Sequence, residues 1–150
     1  MPDLLERFEG IEREPDVQIA LQHAGDSYRD SRIRAVFAIA PAVAAAFSPE
    51  SLAKIDIPVE IVAGAADPIA PPAKNAAFFA AHIKSAKLVI LPGGVGHYTF
   101  LDVGTAGGKK QNPQLFVDTP GVDREAVHKQ VAEMAAEFFN QHLAPAKEKQ

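Results

Sequence analysis

Ile57-Pro58-Val59-Glu60-Ile61-Val62-Ala63-Gly64-Ala65-Ala66-Asp67-Pro68-Ile69-Ala70-Pro71-Pro72 is the stretch on which the fold turns. Its first half, Ile57 to Ala63, is a nearly continuous β-branched run. Such a run suits a strand covered on both faces rather than one with a wet side. Gly64 stops it and Asp67 follows in a loop. Pro71-Pro72 then opens a helix, because proline in a first helical turn gives up only a donor that has no intrahelical partner.

Two similar runs flank this stretch. Ile33 to Ala40 (IRAVFAIA) ends at Pro41, and Lys87 to Leu91 (KLVIL) ends at Pro92-Gly93-Gly94. Helical patterns lie between and after them. Ser48-Pro49-Glu50-Ser51 has the form of an N-cap followed by proline at the first helical position. Ala76, Phe79, Ala80 and Ile83 share one helix face. Asp123 caps a last helix on which Val127, Val131, Ala135, Phe138 and His142 recur. Two short helices are predicted ahead of the first strand, around Pro2–Phe8 and Pro15–Ala24. The alternation gives the α/β class, with about three parallel strands joined by right-handed crossovers and flanked by helices. The Ile33–Ala40 run is too apolar for an open edge, so something is expected to pair with it.

Composition narrows the function classes. The 150 residues are 47% hydrophobic and 23% charged, as in an ordinary globular domain, which we place at 1–143 with a polar tail at 144–150. A net charge of −4, and a single adjacent basic pair at Lys109-Lys110 with no aromatic residues interleaved, argue against nucleic acid as partner. No apolar run approaches the ~18 residues of a membrane helix, so no membrane partner is expected. The absence of cysteine removes disulfides, thiol catalysis and thiolate metal sites. The N-terminus has no signal-peptide layout, and the chain taken alone reads as cytoplasmic; that reading lapses for a fragment of a longer, exported protein. His23, His82, His128 and His142 lack ligand spacing, and neither a metal nor a cofactor is expected. Gly93-Gly94-Val95-Gly96 lacks the Lys-Ser/Thr of a phosphate-binding loop.

Two residues remain as candidates for chemistry, each just past the C-terminal end of a predicted strand, where open α/β sheets gather their functional groups. Asp67 follows the second strand. His97 follows the third, in Pro92-Gly93-Gly94-Val95-Gly96-His97-Tyr98-Thr99-Phe100. A serine nucleophile needs a base to take its proton and a buried carboxylate to fix the tautomer of that base. On position alone, Asp67 reads equally well as a turn-forming residue.

Gly64-x-x-Asp67-x-x-x-Pro71-Pro72, a helix, a strand and the His97 loop together resemble the end of an α/β-hydrolase. The nearest likeness is to dienelactone-hydrolase-like and platelet-activating-factor-acetylhydrolase-like members, over roughly Arg32 to Leu143. That resemblance implies Asp67 as triad acid and His97 as base, in the chain order of the family, and an ester or lactone as substrate. It also implies a partial fold that lacks the N-terminal strands, because no serine stands in a G-x-S-x-G elbow. Ser27, in Gly25-Asp26-Ser27-Tyr28-Arg29, lacks the second glycine and a preceding strand. Gly104 to Pro113 reads as a flexible polar loop, suited to walling a substrate site.

Three functions follow. The first is a hydrolase half that is inactive without a nucleophile segment. The second is a non-catalytic interaction module of the same ancestry, forming a homodimer or meeting a complementing chain through the Ile33–Ala40 edge. The third is a flavodoxin-like binding domain with phosphate or flavin at the strand ends.

Overall fold

Val59–Gly64 is buried along its whole length and forms the middle of a three-stranded sheet. The structure, a computed structural model, describes residues 10–143. The chain divides into two compact units, Met1–Arg32 and Ile33–Gln150. The first contains helix α1, Pro15–His23, with proline opening it and Tyr28 Oη donating to the His23 carbonyl at 2.9 Å. The helix predicted around Pro2–Phe8 and the tail at 144–150 lie outside the described residues.

In the second unit the sheet runs β1 (Val36–Ile39), β2 (Val59–Gly64), β3 (Ala86–Leu91), all parallel and in that spatial order. The predicted α/β class therefore stands as a small three-stranded parallel sheet flanked by helices. β1 is shorter than its apolar run. Its ladder opens with the Val36 N–H on the Pro58 carbonyl, and Pro58 has no N–H with which to continue backwards. Among the described residues β1 is an edge strand, with Val36 and Ile39 exposed. Nothing among them pairs with its open side.

Side-chain alternation along β2 divides the core in two. Val59, Ile61 and Ala63 face a cluster with Ala44, Leu52, Ala76, Phe79 and Ile83. Val62 faces the opposite cluster, with Leu91, Val95, Val127 and Val131. Ile61 and Val62 are the largest fully buried side chains, each worth about 1.5–3 kcal/mol relative to exposure. Glu60, on the Val62 side, keeps its charge paired with Lys87 of β3 at 3.3 Å.

The helices form where their caps and apolar faces allow. Ser48 Oγ accepts the Ser51 N–H and starts α2, Pro49–Leu52, as its sequence indicates. Pro71-Pro72 opens a 3₁₀ turn, Pro72–Lys74, before α3, Ala76–His82. Asn75 interrupts the two, and its Oδ1 is taken by the Ala44 N–H at 3.2 Å. The segment read as a flexible loop, Gly104 to Pro113, instead contains α4, Ala106–Gln111, and ends where α5, Pro113–Phe116, begins. Thr105 caps α4 through the Gly108 N–H. Gly104 lets the Phe116 ring close over it, since a Cβ there would lie 2.5 Å from the ring. Asp123 caps α6, Arg124–Leu143, by accepting the Ala126 N–H at 3.1 Å. Val127, Val131 and Phe138 are buried along its inner face, while His142 is exposed.

Candidate acid–base site

The loops after β2 and β3 are fastened to each other before either side chain is considered. The Ala65 N–H reaches the Leu91 carbonyl at 2.9 Å, and the Ala66 N–H reaches the Val95 carbonyl at 3.0 Å. Gly64 permits this closeness, because a Cβ would sit 2.2 Å from the Val95 oxygen. Asp67 and His97, 30 residues apart in sequence, leave this junction side by side.

His97 Nδ1 lies 2.8 Å from Asp67 Oδ2, with the Asp67 side chain fully buried and that of His97 about a quarter exposed. The other carboxylate oxygen, Oδ1, accepts the Ile69 N–H at 2.9 Å and the Ala70 N–H at 2.7 Å. The turn-forming and imidazole-holding readings of Asp67 are thus both true, one for each oxygen. An ionised carboxylate only accepts hydrogen bonds, so a neutral ring paired with one would carry its proton on Nδ1 and keep a lone pair on Nε2. Nε2 takes no part in the hydrogen bonds among the described residues. Tyr98 meets the His97 ring edge-on, with centroids 5.5 Å apart.

Behind His97 lies a polar assembly that single residues in the sequence did not reveal. Thr99, 3% exposed, accepts the Gly96 N–H at 3.1 Å and donates to Asp118 Oδ1 at 2.8 Å. Arg124, also buried, grips Asp118 through Nε at 2.8 Å and Nη2 at 3.1 Å. Its remaining donors reach the carbonyls of Leu101, Asp102 and Leu115. His128 Nε2 donates to the Thr99 carbonyl at 2.8 Å. Burial alone would push the Asp118 carboxyl up, but hydrogen bonds from Arg124 and Thr99, with the Arg124 and His128 charges, hold it below the usual carboxylate value. The one sequence signal available is weak: Arg124 places a cation in the first turn of a helix, where the helix dipole disfavours it.

The serines of this unit are occupied elsewhere. Ser48 and Ser51 close the start of α2. Ser85 bonds the Ile57 carbonyl at the N-terminal edge of the sheet, opposite His97. A cleft of about 490 Å³ runs between Val103, Lys109 and the start of α6, and one of about 260 Å³ beside Pro92–Val95. Neither is lined by Asp67 or His97. Among the described residues no group of three or more His, Asp or Glu side chains could hold a metal ion, and no helix is long and apolar enough to cross a membrane. Searches against protein-family models and against curated proteins found no match for the chain.

Proposed function

We propose that the Ile33–Gln150 unit is the C-terminal part of an α/β-hydrolase-fold serine ester or lactone hydrolase, contributing acid and base but not the nucleophile. The observation that carries this reading is the 2.8 Å hydrogen bond from His97 Nδ1 to the buried Asp67, made between loops at the C-terminal ends of adjacent parallel strands. In that role a serine hydroxyl, supplied from outside residues 33–143, gives its proton to His97 Nε2 as its oxygen attacks the acyl carbon. Asp67 holds the ring and stabilises the imidazolium. His97 then returns the proton to the leaving alcohol.

A neutral imidazole also attacks activated esters by itself. In the whole chain with p-nitrophenyl acetate, the Nε2 lone pair forms an acyl-imidazole and expels the phenolate; water then releases acetate. Turnover is expected to fall in His97→Gln and Asp67→Asn but not in His82→Gln. Equal turnover in all four proteins would contradict the proposal. A fluorophosphonate adduct on one serine, lost in His97→Gln, would instead place the nucleophile within this chain.

A second reading, an interaction module pairing through β1, is favoured by the edge itself. Val36 and Ala40 turn their N–H groups toward β2, so by alternation those of Phe37 and Ile39 face the open side. Ile33, Ile39 and Val43 are exposed beside them. Light scattering on the chain and on Ile39→Lys tests it: a dimer made monomeric by the lysine supports the module, and a monomer in both rejects self-pairing.

A further inference from the structure

We infer that Thr99 is a positioning residue for His97, holding the imidazole on Asp67 through a chain of hydrogen bonds anchored on Asp118 and Arg124. The 3₁₀ turn His97–Phe100 carries the ring at its first position and Thr99 at its third. Thr99 holds this turn at three points. Its Oγ1 accepts from Gly96, the residue immediately before His97, and donates to Asp118. Its carbonyl is held by His128 from α6. Asp118 is itself immobilised by two bonds from Arg124, whose other donors end on the carbonyls of Leu101, Asp102 and Leu115.

The chemistry requires a hydroxyl. Only a group that accepts from an N–H and donates to a carboxylate can sit between Gly96 and Asp118. Serine meets that requirement, whereas valine matches the shape and can do neither. A ring whose turn is anchored on a partly buried ion pair stays in one orientation, and such support lets a catalytic group keep its alignment. The consequence for catalysis rests on the acid–base reading of Asp67 and His97. The positional claim does not.

The experiment is a nitrogen-edited proton spectrum of the whole chain labelled at histidine, read at the Nδ1–H of His97. In the unmodified protein this proton is expected far downfield and protected from exchange by its bond to Asp67. In Thr99→Val the signal is expected to be lost to exchange, and in Thr99→Ser to return. Thr99→Ala breaks the same link without added methyls and serves where valine does not fold. Ile61→Val, in the core on the opposite face of the sheet, loses stability without touching this chain of bonds and is expected to leave the signal in place. An unchanged signal in Thr99→Val or Thr99→Ala would overturn the inference, as would equal loss in Ile61→Val. Failure of the hydrolase reading appears separately, as ester turnover that does not depend on His97.

Discussion

Asp67 and Asp118 are both carboxylates held by a nitrogen-bearing side chain near the C-terminal edge of the sheet, yet they are used in different ways. Asp118 spends both oxygens on Arg124 and one also on Thr99, and the remaining donors of Arg124 Nη1 and Nη2 end on carbonyls. The circuit closes at Arg124, which has no donor left to act on another molecule. Asp67 spends one oxygen on its own turn and the other on His97. Its partner keeps a lone-pair nitrogen on a side chain that solvent reaches. A structural tie and a candidate site are told apart here by what the partner has left over, not by burial or charge.

The sharpest way to break that contrast is to open the closed circuit. Arg124→Met leaves the partly buried Asp118 without its cation, and losing hydrogen bonds to a charged group of this kind costs about 3 kcal/mol; urea denaturation should read a loss of that order. A loss below 1 kcal/mol would mean that solvent compensates Asp118. Gly64→Ala comes next, because its Cβ meets a backbone oxygen that cannot rotate away. About 1–3 kcal/mol is expected for such overpacking, with the His97 signal disturbed as well.

Asp67 itself separates the two jobs of one carboxylate. Asp67→Ala orphans the Ile69 and Ala70 N–H groups, at about 1–3 kcal/mol in thermal unfolding. Asp67→Asn keeps an acceptor for both and should lose clearly less, while still abolishing His97-dependent ester turnover. Equal losses would show that the turn, not the charge, fixes this residue.

Acid sharpens the comparison further. Asp118 titrates lower in the folded protein than in the unfolded chain. Its stabilisation is therefore present above the unfolded carboxylate value of about 4 and is lost as pH falls from there through the folded value. Stability measured across that window should fall less steeply in Arg124→Met than in the unmodified protein. The smallest effect is expected at the β1 edge, where Ile39→Lys should change stability by no more than about 0.5 kcal/mol.

Local chemistry made much of this legible in the sequence. The β-branched runs, the Ser48 and Asp123 caps and the turn signals after each strand are decided within a few residues, and they brought Asp67 and His97 to one edge. What escaped depends on distance in the chain. Thr99 meets Asp118 across 19 residues, and Arg124 reaches back 22 residues to the Asp102 carbonyl; no periodicity records such links. The helix Ala106–Gln111 was hidden by Gly107-Gly108, which lower intrinsic helix propensity, while the Thr105 cap overrides them. The length of β1 was set by Pro58 on its neighbour, not by its own apolar residues.

Whether His97 can act as a base is decided by the protonation of its ring, read from its two nitrogen shifts at a pH where it is neutral. The proton is expected on Nδ1 and the lone pair on Nε2 in the unmodified chain, with the opposite tautomer in Asp67→Asn, where the amide donates instead. A neutral ring protonated on Nε2 in the unmodified chain would contradict that expectation, because His97 would then hold no base toward an incoming hydroxyl.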